Sequence, residues 1–349
     1  MMSPSRRARA IVATLVAAGS AVAVLVLAHA HPDAARDFDQ VWFGARAVLR
    51  GADPYALIGP GRAFEWRWPL YYPLPAMIVL VPLAWLPVAV ARAVFVGASA
   101  WACAMAFTRD GWHRWPALAS LAFVTAVSAG QWSPLLAAAF VYPALAWLWV
   151  AKPTVGLASV AASPARRAMP VAVAAGVVAL AASLLVQPHW VGRWLASVRE
   201  APHITPPVAR LGGVLLLAAA ARWRRPEARL LLALACVPAT PGPYEAVPLF
   251  LVASTVGESV LLAALTWAHL FVTGAIVTAT AGANAPWQAA MTASGRVMLL
   301  SLYLPCLVMV LRRPNAGELP PWLARAAALV AGRRHRAPRP SALAEAPRT

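Results

Sequence analysis

Long stretches of apolar residues alternate with short polar segments along the whole chain. The first stretch runs from Ala10 to Ala28 and follows a group of three arginines. Later apolar runs cover approximately 74–86, 88–107, 116–129, 133–151, 168–186, 208–221, 229–239, 246–257, 259–280 and 294–311. Runs of about 18 or more uncharged residues are typical of membrane-spanning helices. The pattern therefore predicts an all-α, polytopic transmembrane helical bundle of about eight to ten spans.

Arginine residues lie between the apolar runs, as they do in the cytoplasmic loops of many membrane proteins. Three of them precede the first run, and further pairs or clusters occur at 166–167, 222–229 and 312–313. Because positive flanks stay in the cytoplasm, this distribution predicts a cytoplasmic N-terminus and places 31–72 and 187–207 outside. We therefore expect a multi-pass membrane protein.

Two points of this topology stay open at the level of the sequence. Ala28–Ala30 resembles a small-x-small cleavage site, so the first run is either a cleaved signal peptide or, as we prefer, an uncleaved span. If 74–86 and 88–107 both crossed the membrane, Arg109 and Arg114 would lie outside, against the arginine pattern. A 74–86 run that enters the bilayer and returns would remove this conflict.

The polar segment 31–72 is the longest stretch without a spanning run. Within it, apolar residues recur at helical spacing over 41–49, while Arg46 and Arg50 lie on another face of the same helix. This pattern predicts an amphipathic helix at the membrane surface in an extracytoplasmic first loop. For the chain as a whole we expect a membrane-embedded domain over 1–313. A basic cytoplasmic tail should follow over 314–349, and its last part, 337–349, should be disordered.

Composition excludes several classes of protein. Apolar residues make up 61% of the chain, charged residues only 12%, and the mean hydropathy is +0.66, which excludes a soluble enzyme and a disordered chain. The net charge of +18 is spread between apolar runs, so we expect membrane lipids as partners and no nucleic acid. The three cysteines lie far apart in apolar runs, and the histidines lack metal-ligand spacing. Neither a disulfide framework nor a metal or other cofactor is therefore predicted.

Asp37 has two interpretations. It precedes the amphipathic helix and has Gln40 three residues later, which resembles a helix-capping box. It is also an acidic residue at a helix start, where a carboxylate stays ionised and can act as a base. The spacing alone favours the capping interpretation and leaves the catalytic one open.

Lys152 is the only lysine in the chain, all other basic residues being arginine. A lone ammonium in the apolar stretch 133–163 costs about 2.5–3.5 kcal/mol unless it reaches an interface or an anion. It is therefore either a lysine that extends to a lipid headgroup or a cation that receives a lipid-linked phosphate.

Gln131, at the start of an apolar helix, also has two interpretations. It could hydrogen-bond a hydroxylated ligand or only cap that helix.

Aromatic and basic residues crowd the end of the first loop. The set consists of Arg62, Trp66, Arg67, Trp68, Tyr71 and Tyr72. An interfacial aromatic belt is the usual interpretation of such a group. Alternatively, Trp66, Trp68 and Tyr72 stack on sugar faces while Arg62 and Arg67 hold an anion.

The order of these features resembles that of glycosyltransferase family 87, a family of polytopic membrane enzymes of the GT-C class that includes polyprenol-phosphate-mannose-dependent mannosyltransferases. The first matching block is Asp37-Phe38-x-x-x-Trp42-x-x-Ala45-Arg46-Ala47-x-Leu49-x-Gly51-x-Asp53-Pro54-Tyr55. Further matching blocks are Tyr72-Pro73-Leu74-Pro75-Ala76, Pro82-Leu83-Ala84-x-Leu86-Pro87, Gly130-Gln131 and Lys152-Pro153. The resemblance covers about residues 35–155 and continues beyond them only as a hydrophobic pattern.

The resemblance implies a protein of the bacterial cytoplasmic membrane with an active site at the outer face of that membrane, under the first loop. In that family the acidic residue of the opening motif is the catalytic base, which falls on Asp37, with Asp39 as its rival two positions later. The implied reaction moves a hexose, mannose by analogy, from a polyprenyl-phosphate donor to an envelope glycolipid or polysaccharide acceptor. One base and one cationic site for the leaving phosphate suffice, so we expect single displacement with inversion.

A transporter or lipid flippase is the alternative function, and a non-catalytic membrane scaffold is a third. A transporter would need charges at mid-membrane and paired broken helices. The sequence offers Glu258 as the one acidic candidate between two apolar runs, and its setting favours a turn at the cytoplasmic face.

Overall fold

A computed structural model describes residues 5–200, 205–238, 240, 242–281, 287–317, 319 and 323–329. The predicted disordered segment 337–349 lies outside the described residues. Within them most residues are helical and almost none belong to a sheet, which confirms the all-α prediction. A single pair of two-residue strands, β1 (Ile58–Gly59) and β2 (Phe64–Glu65), pairs in parallel within the first loop of the described chain.

The α-helices are α1 (Arg6–Ala30), α2 (Asp37–Leu49), α3 (Pro54–Leu57), α4 (Leu74–Leu80), α5 (Val88–Phe107), α6 (Leu121–Ala129), α7 (Ser133–Val141), α8 (Pro153–Ala162), α9 (Ala168–Val186), α10 (Trp190–Arg199), α11 (Pro226–Cys236), α12 (Val256–Ala281), α13 (Trp287–Met298) and α14 (Leu304–Leu311). Tighter 3-10 segments cover Val81–Leu83, Trp115–Ala119, Pro143–Ala151, Pro207–Ala209, Gly213–Arg222 and Pro243–Val252, and a π-helical turn covers Leu299–Tyr303. Helix α2 confirms the helix that the first loop predicted, and its apolar face packs against α4 and α5 instead of lying free on a surface.

Five helical segments in the described chain are long and apolar enough to cross a membrane: Arg6–Ala30, Val88–Phe107, Ala168–Val186, Val256–Thr280 and Ala289–Leu311. A sixth exists if α6 and α7 together form one span. The predicted number of about eight to ten spans is therefore too high. The excess comes from apolar runs that fold as short segments, such as Pro143–Ala151 and Pro243–Val252, where proline removes a backbone donor and limits helix length.

Helices α1 and α5 pack antiparallel and give the bundle two distinct ends. The Arg9 guanidinium, near the start of α1, donates to the Met105 carbonyl at 2.7 Å, near the end of α5. Helix α4 is only seven residues long and leads through a 3-10 turn directly into α5. The run at 74–86 therefore does not cross the bundle. Arg109 and Arg114, which follow α5, consequently lie at the same end as Arg9, as the returning-run alternative predicted.

Other arginines gather at this end, which we call the arginine end. Arg114 donates to the Ala253 carbonyl at 2.9 Å, Arg313 to the Val252 carbonyl at 2.6 Å, and Arg222 to the Arg313 carbonyl at 2.7 Å. These contacts bring together segments that are distant in the sequence and that all follow or precede apolar runs. Arg114, Arg222 and Arg313, which all lie between apolar runs, therefore share one end of the molecule.

The first loop and α10 pack together at the opposite end, which we call the loop end. Arg193 forms an ion pair with Asp53 at 2.7 Å, and the Trp194 indole donates to the Tyr71 carbonyl at 2.9 Å. The Gln187 amide donates to the Ala52 carbonyl at 2.6 Å. The segments that the sequence placed outside, 31–72 and the described part of 187–207, therefore lie side by side.

Between the two ends, several half-length segments enter from the arginine end and turn back. Helices α6 and α7 are bent by 115° at the break between them, and the end of α7 at Val141 accepts a hydrogen bond from Arg109 at 2.8 Å. A nine-residue helix rises about 14 Å, roughly half of a ~30 Å hydrocarbon core. The 3-10 segment Pro143–Ala151 and α8 form a second such pair, because Ser163 after α8 donates back to the Phe140 carbonyl at 3.1 Å.

Candidate functional site

Five polar side chains converge where the turns of these half-length pairs meet the start of α2. Asp37 comes from the first turn of α2, Tyr72 from the segment before α4, and Gln131 from the turn between α6 and α7. Lys152 precedes α8, and Glu245 lies in the first turn of the segment Pro243–Val252. The cluster thus unites the resemblance blocks of the first half with one residue from the second half.

Gly130 allows the turn between α6 and α7 to approach the start of α2. It ends α6 with φ of 68°, a left-handed conformation that glycine adopts without strain. A Cβ atom at this position would lie 2.6 Å from the Cβ of Phe38, the residue next to Asp37. The turn between α6 and α7 therefore approaches the start of α2 more closely than any residue with a side chain allows, and Gln131 comes within reach of Asp37.

Asp37 does not cap its helix. The capping position is Arg36, and the reciprocal contact is made by Asp39, whose carboxylate accepts from the Arg36 backbone N–H at 2.8 Å. The predicted capping box of Asp37 with Gln40 is therefore wrong by one position. The Asp37 carboxylate instead accepts a hydrogen bond from the side-chain amide of Gln131.

The surroundings of Asp37 raise its pKa above the ordinary value of a carboxyl group. Burial is the largest cause, because it disfavours the charged form. The positive charge of Lys152 and the hydrogen bond from Gln131 act in the opposite direction, and the negative charge of Glu245 acts with burial. Arg67 also lowers the pKa of Asp37, so its charge lies close enough to be felt at the carboxylate.

Asp39 has a different environment. The Arg92 guanidinium binds it with two hydrogen bonds, Nε to Oδ1 at 2.9 Å and Nη2 to Oδ2 at 2.6 Å. Asp39 and Arg92 are each only 5% exposed. Both oxygens of Asp39 are thus engaged in a buried ion pair that joins α2 to α5.

Lys152 directs its ammonium into the cluster. Nζ donates to Gln131 Oε1 at 3.1 Å and to Glu245 Oε1 at 2.5 Å, and only 14% of its side chain is exposed. The aromatic rings of Tyr72 and Tyr244 lie 6.0 Å and 5.7 Å from Nζ. This set of partners contradicts the interpretation of Lys152 as a lysine that extends to a headgroup.

Gln131 connects the two charged parts of the cluster. Its amide nitrogen donates to Asp37, and its oxygen accepts from Lys152 and from the Tyr72 hydroxyl at 3.3 Å. An amide is suited to this position because it offers both donors and acceptors on one planar group. Its orientation is therefore fixed by three side chains from three different segments.

Glu245 is the member of the cluster that the sequence did not identify. Glu245 is only 2% exposed and pairs with Lys152. A signal existed, because Glu245 directly precedes an apolar run. Glu258, the acidic candidate that the sequence did offer, accepts from the Ser254 backbone N–H at 2.7 Å and pairs with Arg313 at 2.6 Å. It therefore forms a turn at the arginine end, as its setting favoured.

The remaining candidates of the first loop have mixed placements. Arg62 donates to the backbone carbonyls of Tyr55 and Ile58 and thereby braces the loop itself. Trp66 packs beside Phe64 with ring centres 6.3 Å apart and against the core, whereas Trp68 is half-buried. Arg67 is exposed and lies near Asp37, so it is better placed than Arg62 to bind an anion at the cluster.

Among the described residues, no group of three or more histidine, cysteine or acidic side chains is arranged to hold a metal ion. The chain matches no protein-family model, and comparisons with curated proteins and with solved structures give no significant match. The case for a function therefore depends on the residues of the cluster and on their geometry.

Proposed function

We propose that this protein is a membrane hexosyltransferase that uses a polyprenyl-phosphate-linked sugar, with mannose the first candidate. The acceptor is an envelope glycolipid or polysaccharide, and the reaction is a single displacement with inversion. The observation that carries the proposal is the Asp37–Gln131–Lys152 connection. It places a carboxylate and a cation on the two sides of one amide, where the turns of the half-length segments meet the start of α2.

Asp37 is the proposed general base. Its raised pKa makes it a stronger proton acceptor than an exposed aspartate, and the positive charge of Lys152 favours its ionised form. It removes the proton from the acceptor hydroxyl as that oxygen attacks the anomeric carbon. Asp39 is poorly suited to this role, because Arg92 occupies both of its oxygens.

The leaving group is a polyprenyl phosphate, which gains one negative charge when the bond between the sugar and the phosphate breaks. Lys152 and Arg67 are the proposed cations that stabilise this charge as it develops. Both act electrostatically on Asp37, so both lie close to the place where the proton is removed. Arg62, which the loop backbone occupies, is assigned a structural role in this mechanism.

A lipid donor also needs apolar surface beside the site. Helix α9 leads from the arginine end to the loop end and exposes large apolar residues along its length, such as Val177 at 64% and Leu185 at 86%. In a bilayer such a surface meets lipid tails. A polyprenyl chain can therefore remain in the membrane while its phosphate reaches the loop end.

A transporter or flippase is the second candidate function, and two observations favour it. Helices α6 and α7 form a broken, returning pair, and the Lys152–Glu245 ion pair is buried at the turns of the half-length segments. Both features are typical of transporter substrate sites. The glycosyltransferase remains the preferred proposal, because Asp37 is free for proton removal and belongs to the opening motif of the resemblance.

The test is sugar transfer by the purified protein in liposomes. Mannosyl polyprenyl phosphate with a labelled sugar is the donor, and an envelope glycolipid fraction is the acceptor. We expect labelled acceptor to form with wild type and not with Asp37→Asn. If the label crosses the bilayer unchanged and no glycosidic bond forms, the protein is a transporter and the transferase proposal is wrong.

A further inference from the structure

Glu245 contains a buried oxygen that has no hydrogen-bond partner among the described residues. Its Oε1 accepts from Lys152 at 2.5 Å, but Oε2 is shielded and unpaired. Leaving a buried acceptor unpaired is costly, by about 1–3 kcal/mol and more for a charged group. Such an atom in a native structure needs an explanation, and a bound ligand or water that completes its hydrogen bonding is one.

The chemistry around Oε2 restricts what can bind there. A phosphate oxygen would be repelled by the carboxylate, and a metal cation would lie beside the Lys152 ammonium, which already neutralises Glu245. A neutral group that donates a hydrogen bond meets neither obstacle. The rings of Tyr72 and Tyr244 lie within 6.0 Å of the Lys152 ammonium and are flat apolar groups of the kind that pack on a sugar ring.

We propose that Glu245 binds a hydroxyl group of the sugar through Oε2 while Oε1 holds Lys152 in place. This inference rests on the proposed function, and it adds a sugar-recognition residue that lies about 90 positions from Lys152 in the sequence. A carboxylate with one oxygen on a lysine and the other on a hydroxyl couples the position of the sugar to that of the cation. The residue thus contributes to specificity among hexoses.

The experiment is a double-mutant cycle in which one change is made in the enzyme and the other in the donor. Wild type and Glu245→Gln are compared on the natural donor and on a series of donors, each of which lacks one hydroxyl of the sugar. Glutamine keeps the shape and leaves Lys152 an acceptor oxygen, but it removes the charge. Glu258→Gln is the matched control, because Glu258 also forms a 2.6 Å ion pair, with Arg313, but at the arginine end.

We expect wild type to lose roughly 10- to 100-fold in kcat/KM on one deoxy donor, since a charged hydrogen bond is lost there. On the natural donor, Glu245→Gln should have a kcat/KM lower than that of wild type by a similar factor. When Glu245→Gln is given that deoxy donor instead of the natural donor, its kcat/KM should fall by less than about threefold further, because the contact is already absent. Polyprenyl phosphate without a sugar, used as a competitor, should bind wild type and Glu245→Gln equally. Glu258→Gln should behave as wild type throughout.

Two results would overturn the inference. If wild type has the same kcat/KM on every deoxy donor as on the natural donor, no sugar hydroxyl has a charged partner. This result does not depend on the folding of any variant. If Glu245→Gln weakens the sugar-free competitor as much as the donor, Glu245 acts only through Lys152. Failure of the proposed function is a separate outcome, in which wild type neither transfers sugar nor binds polyprenyl phosphate.

Discussion

At the residue scale, Asp37 and Asp39 lie two positions apart on α2 and face different partners. Asp37 contacts an amide and retains the capacity to accept a proton, whereas Asp39 holds Arg92 and the Arg36 backbone. Alternate positions of a helix face different sides, so a spacing of two residues gives the two carboxylates different partners. The two aspartates are therefore expected to respond differently to the same substitution.

We predict that Asp37→Asn lowers the transfer rate by about 10²- to 10⁴-fold, the usual loss when a general base is removed. Membrane insertion and thermal stability should be unchanged, because asparagine can keep a hydrogen bond with Gln131. The measurement is the initial transfer rate together with a melting curve. Asp33→Asn, at an exposed position of the same loop, is the control and should retain wild-type activity.

Asp39→Asn should act on stability instead. It leaves the buried Arg92 guanidinium without its counter-charge, and breaking a buried pair typically costs about 3–5 kcal/mol. A stable Asp39→Asn variant without activity, alongside an active Asp37→Asn variant, would assign the base to Asp39. Activity in the double variant would contradict a carboxylate base altogether.

Lys152 can be tested through the pH dependence of the reaction. A base works only when deprotonated, so activity is present above the pKa of Asp37 and is lost as the pH falls through it. The Lys152 charge lowers that pKa. Lys152→Met should therefore move the acidic limb of kcat/KM to higher pH, and it should also reduce the rate, because the leaving phosphate loses a cation.

Lys152→Arg is the matched variant. It keeps the charge, so the acidic limb should stay near its wild-type position, but the larger planar group does not fit between Gln131 and Glu245 and part of the rate should be lost. The comparison is made at several donor concentrations across about pH 4 to 9. Wild-type rates for Lys152→Met would remove Lys152 from the site and leave Arg67 as the principal cation.

At the scale of the elements, the turn between α6 and α7 determines whether Gln131 reaches Asp37. We predict that Gly130→Ala strongly reduces activity and lowers the melting temperature. The left-handed backbone costs roughly 1 kcal/mol or more for alanine. In addition, the new methyl group would collide with Phe38 and displace the turn from α2.

Gly51→Ala provides the control for this prediction. Gly51 follows α2 with φ of 69°, nearly the same as Gly130, but a Cβ atom there would have no neighbour within 4 Å. Its substitution should cost only the backbone strain and leave transfer close to wild type. Equal losses of activity for the two variants would show that strain, and not the contact with Phe38, matters at Gly130. Transfer rates and melting temperatures of both purified variants decide between these outcomes.

At the scale of the whole molecule, the two ends of the bundle should face different compartments. We predict that Ala56→Cys at the loop end reacts with a membrane-impermeant thiol reagent in intact cells. Arg167→Cys, beyond α8, should react only after permeabilisation, because Ser163 ties that region to the arginine end. The background lacks the native Cys103, Cys236 and Cys306, of which Cys236 is exposed. Labelling of Ala56→Cys only after permeabilisation would reverse the orientation and exclude an outer active site.

The sequence by itself determined the helical class, the position of α2 and the separation of arginine-rich from loop segments. These features follow from local regularities, namely helical spacing of apolar residues, long uncharged runs and the charges beside them. It also identified Asp37, Gln131, Lys152 and Tyr72, four of the five residues in the cluster. Each of them stands out locally as a polar residue in an unusual setting.

Only the tertiary structure decided which runs cross the bundle, which aspartate is free and where Glu245 lies. Run length does not reveal a turn such as the one at Gly130, whose sharpness depends on close contact with Phe38. Likewise, no local rule distinguishes Asp37 from Asp39, because the difference comes from Arg92 more than fifty positions away. Burial of Glu245 depends on its pairing with Lys152. An ion pair between distant residues produces no regular spacing that a single sequence could reveal. Local patterns record which backbone conformations are favourable, whereas the contacts that form the site arise only when distant segments pack together.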